Sequence, residues 1–155
     1  MISKLFTDDD EVKKTKTKIR VMVKVTQKEF EAVSFFSAEV GDLVEGATDE
    51  LFLKSIETCQ GHVKDFSNRM FASKTKRIEL FEHELDSFRT LRHDAAGKLD
   101  ACEDEGYVAD FESHVKQLNK LRKKFENAQS KANVVWAVKK AKEVLAAQKE
   151  RENNL

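Results

Sequence analysis

The chain has 155 residues, 40% hydrophobic and 36% charged, with 28 basic and 28 acidic side chains and a net charge of zero. With no proline, five glycines and two cysteines, it excludes a turn-rich sandwich, barrel or α/β fold, which lean on proline and glycine. It also excludes a disulfide framework and a generic nucleic-acid binder, which is basic overall.

The N-terminus, MISKLFTDDDEV, has no apolar core of signal length, and no apolar run approaches transmembrane length. A cytoplasmic protein with reduced cysteines is expected. Asp8, Asp9, Asp10 and Glu11 suit the start of a helix, where the dipole favours negative charge.

The stretch KKTKTKIRVMVKV, residues 13–25, can be read as a strand or as a helix. Its alternation of apolar or small residues with Lys and Arg has period two. Ile19, Met22 and Val23 also stay in phase with Phe30, Val33, Phe36, Val40, Leu43 and Val44, a three-four repeat. With no second convincing strand to pair with, the sequence predicts a first helix over about 10–45, in which Thr26 is the one weak core position. Gly41 and Gly46 act as breakers, and Thr48 or Asp49 caps the next helix.

The second predicted helix covers about 49–102. Its apolar stripe is Phe52, Ile56, Cys59, Val63, Phe66 and Met70, then Ile78, Phe81, Leu85, Phe88, Ala95, Leu99 and Cys102. The step from Met70 to Ile78 is longer than a heptad and shifts the stripe around the helix. After the acidic turn around Gly106, a third helix over about 107–151 carries Phe111, Val115, Leu118, Leu121, Phe125, Ala128, Ala132, Val135, Val138, Ala141 and Leu145. Three long helices joined by short turns fold back antiparallel. The predicted fold is all-α: one elongated domain, a long antiparallel three-helix coiled-coil bundle that is dimeric.

Little in the sequence points to chemistry. Cys59 and His62 have i, i+3 spacing, but nothing completes a tetrahedral zinc set. His83 and His114 have acidic neighbours but no E-x-x-H pair. His93 stands apart. Phosphate-loop, HExxH and GxSxG motifs are missing. Neither catalysis nor a metal or other cofactor is expected.

The basic residues are more informative. They cluster as Lys13, Lys14, Lys16, Lys18, Arg20, Lys24 and Lys28, then Arg69, Lys74, Lys76 and Arg77, then Lys116, Lys120, Arg122, Lys123 and Lys124, with Lys131, Lys139, Lys140 and Lys142 beyond. On one face they would form a positive strip attractive to anionic lipid. The plain alternative is a solvated helix face. Nucleic acid is not expected, because aromatic residues do not interleave with the basic ones as stacking platforms.

The run KQLNKLRKKFENAQSK, residues 116–131, followed by AVKKAKEVLAAQ, resembles the third helix of BAR domains, and KTKRIELFEHELDSFRTLRHDAAGKLDA, residues 74–101, looks like their second. Within that superfamily the nearest group is the Chibby-interacting BAR-like proteins. The resemblance implies a non-enzymatic, crescent-shaped homodimer, peripheral to membranes, that binds anionic lipid and senses or shapes curvature. Its lipid-binding residues would be Lys74, Lys76, Arg77, Lys120, Arg122, Lys123 and Lys124, with Lys13, Lys14, Lys16, Lys18 and Arg20 as a basic leader. Phe30, Phe36, Phe52 and Phe66 would form the dimer or core seam. The rival expectation is a coiled-coil adaptor or tether that binds protein partners, other coiled-coil proteins among them, without touching lipid.

Overall fold

The computed structural model describes residues 20–154. The described chain is mainly helical, in keeping with an all-α fold, but its elements differ from three long helices. They run β1 (Met22–Lys24), α1 (Gln27–Val44), α2 (Glu50–Ala72), β2 (Arg77–Glu79), α3 (Glu82–Ala95), a 3-10 turn (Ala96–Leu99) and α4 (Glu105–Asn153). Residues 22–125 form one compact unit, and α4 from Glu126 onward belongs to another.

The segment expected to open the first helix is in part a strand. Val21, Val23 and Val25 are buried while Met22 and Lys24 are exposed, so the period-two reading prevails over the helical one. The partner strand lies inside the predicted second helix. β2 pairs antiparallel with β1 in the register Met22 to Glu79, Val23 to Ile78 and Lys24 to Arg77. Thr26 is no core position. It is the N-cap of α1, its hydroxyl accepting from Glu29 N at 3.2 Å while Glu29 Oε1 accepts from Thr26 N at 2.8 Å. This reciprocal capping box fixes where the helix starts. Gly41 lies inside α1, which continues to Val44.

The segment read as one helix over about 49–102 is two helices with β2 between them. α2 starts at the expected cap, where Asp49 Oδ1 accepts from Leu51 N at 3.0 Å. It ends before Lys76, whose φ of 62° is the left-handed conformation that turns the chain. The Lys76 ammonium donates to Met70 O at 2.8 Å, satisfying a carbonyl near the end of α2. The third helix is close to its expected extent, over Glu105–Asn153.

An approximate two-fold axis organises residues 22–125. Adding 55 to a residue number in the first half gives its counterpart in the second, as for Val23 and Ile78 (78 less 23). β1, α1 and α2 begin at 22, 27 and 50; β2, α3 and α4 begin at 77, 82 and 105. The strand register is symmetric about the Val23–Ile78 pair. Buried positions also correspond: Val25 with Leu80, Val33 with Phe88, Phe36 with Leu91, Ile56 with Phe111, Phe66 with Leu121, and Met70 with Phe125.

The halves share one core. Phe66 of α2 meets Phe88 of α3 with ring centroids 5.1 Å apart. Its counterpart contact, of α4 on α1, runs through Phe111 and Phe36 at 5.1 Å. Neither half could bury its apolar face alone. In the other unit, α4 carries the exposed side chains Val134, Val135, Val138, Val144 and Leu145.

Candidate functional site

The features that set the site are the two-stranded ribbon and the ion pairs beneath its ends. Glu29 and Glu84 are both 1% exposed, and each sits three residues past its N-cap, where a carboxylate reaches back to the cap N–H. Glu84 Oε1 accepts from Phe81 N at 3.1 Å. Phe81 offers no hydroxyl in return, so this is half a capping box. Instead, the Arg69 guanidinium lies 5.2 Å from the Phe81 ring centroid, a cation–π arrangement.

Each carboxylate is held by a cation from the other half. Lys124 Nζ donates to Glu29 Oε1 at 2.7 Å and to Lys24 O at 3.2 Å. Arg69 donates from Nη2 to Glu84 Oε1 and from Nε to Glu79 O at 3.0 Å. Both cations thus tie a helix start to the end of a strand, and they are related by the 55-residue spacing. Among the described residues, the second oxygen of each carboxylate is buried without a hydrogen-bond partner. The pairs therefore carry a desolvation cost that their Coulomb attraction must offset. Their geometric role is plain: they lock the ribbon to the helices below it.

With its underside fixed, the ribbon presents Met22, Lys24 and Arg77 to solvent, and Glu79 half-buried beside them. Lys24 and Arg77 are directly opposite each other, an arrangement of like charge that destabilises a strand pair. Met22 faces Glu79. Lys28, in the first turn of α1, and Lys74, in the connection ahead of β2, are also exposed.

The predicted lipid-binding residues do not behave as one group. Lys13, Lys14, Lys16 and Lys18 lie outside the described residues, and Arg20 is exposed. Lys74 and Lys76 lie in the α2–β2 connection and Arg77 lies on β2, so these three correct the expectation of a basic stretch on a long second helix. Lys120 and Lys123 are exposed on α4. Lys124 is engaged with Glu29, and Arg122 lies 3.9 Å from Asp86.

Of the predicted seam, Phe36 and Phe66 are buried, and Phe30 and Phe52 are half-buried. Phe30 packs on Phe66 with centroids 6.0 Å apart, a contact within the chain. The sequence reading missed Glu29, Glu84 and Arg69 as structural residues. The T-x-x-E spacing of Thr26 and Glu29 was the signal available for the first of them.

His62 Nδ1 and Ser87 Oγ share a 2.6 Å hydrogen bond, and the His62 and His83 rings are 4.7 Å apart. Among the described residues, no group of three or more His, Cys, Asp or Glu side chains is placed to hold a metal ion. No described helix is long and apolar enough to cross a membrane.

Comparison with family models, with curated proteins and with solved structures finds no match to this chain.

Proposed function

We propose that the protein is a non-enzymatic binding module whose ribbon enters the major groove of duplex DNA. The observation that carries this reading is the exposed Lys24–Arg77 pair on a two-stranded antiparallel ribbon. A ribbon of that kind fits the major groove, which is about 12 Å wide. The outward residues are of types that read base edges: Arg and Lys donate to guanine O6 and N7, Glu accepts from the cytosine amine, and an apolar tip meets the thymine methyl. The juxtaposed cations repel each other in the free protein, and an array of acceptors between them relieves that repulsion. Lys28 and Lys74 serve as phosphate contacts.

Zero net charge is compatible with this reading, because the basic character is local. Nor does groove reading need the aromatic platforms whose lack argued against nucleic acid in the sequence. Those serve single strands.

The test is fluorescence anisotropy with a labelled mixed-sequence duplex, its single strand, and phosphatidylserine-rich vesicles in a parallel sedimentation arm, each at about 50 and 200 mM salt. Salt-sensitive binding to duplex over single strand is expected. Lys24→Ala with Arg77→Ala should weaken it at least about tenfold, each lost base contact being worth about 1–3 kcal/mol. Unchanged duplex affinity in that variant would refute the ribbon reading. Vesicle binding that Lys120→Ala with Lys123→Ala abolishes would favour the BAR-like membrane scaffold instead.

A further inference from the structure

The second half carries a feature that the first does not share. Between α3 and α4, Arg89, Arg92 and Arg122 rim a shallow recess whose floor is Leu85, Phe88 and Leu118. The floor is buried, with exposures of 5%, 2% and 7%. Subtracting 55 from the three arginines gives Ser34, Ser37 and Ser67, all half-buried, and the floor becomes Phe30, Val33 and Val63. The matched positions of the first half are therefore occupied by uncharged residues. The 55-residue correspondence does not call for arginine there.

Three guanidinium groups around one apolar patch repel each other at effective dielectrics typical of protein surfaces. Arg122 has Asp86 at 3.9 Å, while the Arg89 and Arg92 side chains form no ion pair among the described residues. The recess itself is small, about 40 Å³, far below the roughly 300 Å³ of a small-molecule pocket. It has room for the tip of one apolar side chain. Arginine beside a desolvated apolar centre is the composition of a protein-interface hot spot.

We propose that Arg89, Arg92 and Arg122 form a docking point for an acidic peptide segment of a partner protein, which seats one apolar side chain on Leu85, Phe88 and Leu118. Flanking carboxylates of that peptide take bidentate hydrogen bonds from the guanidinium groups. The site is separate from the ribbon, and peptide binding tests it whether or not the DNA reading holds.

The probe is a fluorescein-labelled peptide with one leucine flanked on both sides by aspartate and glutamate, titrated with the full chain and followed by anisotropy. Two control peptides replace the leucine with glycine or the acids with lysine. The variant is Arg89→Ser with Arg92→Ser, which copies the residues that the first half carries at these positions and so leaves folding intact, as circular dichroism would verify. The acidic leucine peptide should bind in a salt-sensitive way, the variant should bind it about tenfold more weakly or worse, and both control peptides should lose binding. No binding by the full chain up to about 1 mM peptide, equal binding by the variant, or equal binding of the glycine peptide would overturn the proposal. So would a parallel loss of duplex DNA binding in the variant, which would assign the arginines to the nucleic-acid face.

Discussion

Glu29 and Glu84 occupy equivalent places in the two halves, yet their cations differ. Lys124, 41% exposed, holds the first, and Arg69, 28% exposed, holds the second. The caps differ too, a hydroxyl at Thr26 and an aromatic ring at Phe81. Away from these points the halves diverge further, with Ser34 and Ser37 against Arg89 and Arg92, and Leu43 and Phe52 against Lys98 and Tyr107. Strand alternation, helix caps, crossed ion pairs and buried volume are enough to hold the two-fold arrangement. The remaining surface is free to carry different chemistry in each half.

The sharpest way to break this comparison is through the shared core. Phe36 and Leu91 are counterparts and both are fully buried. Phe36→Ala should cost about 3–5 kcal/mol and Leu91→Ala about 2–5 kcal/mol, from lost transfer energy and the cavity left behind. Because the halves bury their apolar faces against each other, each substitution should lower a single cooperative transition in urea. Two separate transitions would show that the halves fold independently, and the shared-core account would fail.

A smaller effect tests the crossed ion pairs. Arg69→Met and Lys124→Met each leave a carboxylate buried without its cation. Removing one partner of a fully buried pair costs about 3–5 kcal/mol. Both cations here are partly exposed, so water recovers some of that. Arg69→Met should cost about 2–3 kcal/mol, because Arg69 is the more buried cation and also loses its place over Phe81. Lys124→Met should cost about 1–2 kcal/mol by the same reasoning. Urea midpoints in the reverse order would mean that burial of the cation does not set the difference.

Much of the helical content was legible in the sequence, and the reasons are local. α4 is long and keeps its apolar phase, so its extent could be read to within a few residues. Asp49 was recognisable as a cap. The ribbon was not, because Met22 and Val23 fit both a period of two and the helical stripe of α1, and because β2 is only three residues long. Weighing T-x-x-E at Thr26 and Glu29 as a helix start would have placed the residues before it in an extended segment.

The 55-residue correspondence was hidden for a different reason. Identity survives at cap, first-turn and exposed positions such as Glu29 and Glu84, Asp49 and Asp104, Glu50 and Glu105, and Glu57 and Glu112. Core positions instead differ in size while staying apolar and buried, Val33 against Phe88 and Phe66 against Leu121, which erases similarity. The basic residues could be counted but not placed. Whether Lys124 meets lipid, water or Glu29 depends on helix rotation and on a contact 95 residues away.

The mildest expected effect lies where the halves differ most in polarity. Tyr107 donates its hydroxyl to Glu39 Oε2 at 2.9 Å, and Lys98 Nζ donates to the same oxygen at 2.9 Å and to Asp42 at 3.0 Å. The counterpart positions hold Phe52 and Leu43, which cannot ionise. Burial, then the bond to Glu39, pushes the Tyr107 pKa up to about 12. Lys98 is also raised, by its hydrogen bond to Glu39, against the opposing effect of burial. A group whose pKa is raised on folding contributes stability that is fully present below its unfolded pKa and is lost as pH climbs through its folded value. For Tyr107 that window runs from about 10 to about 12, and Lys98 loses its contribution on the same alkaline side. Tyr107→Phe should therefore cost only about 0.5–1.5 kcal/mol at pH 7, the worth of one hydrogen bond. It should also flatten the fall in stability above about pH 10. Urea midpoints of the two proteins at about pH 8 and pH 11 give the comparison: the gap between them should narrow at the higher pH. A gap that stays constant would mean that Tyr107 titrates alike in the folded and the unfolded chain, and that its bond to Glu39 has no part in the alkaline behaviour.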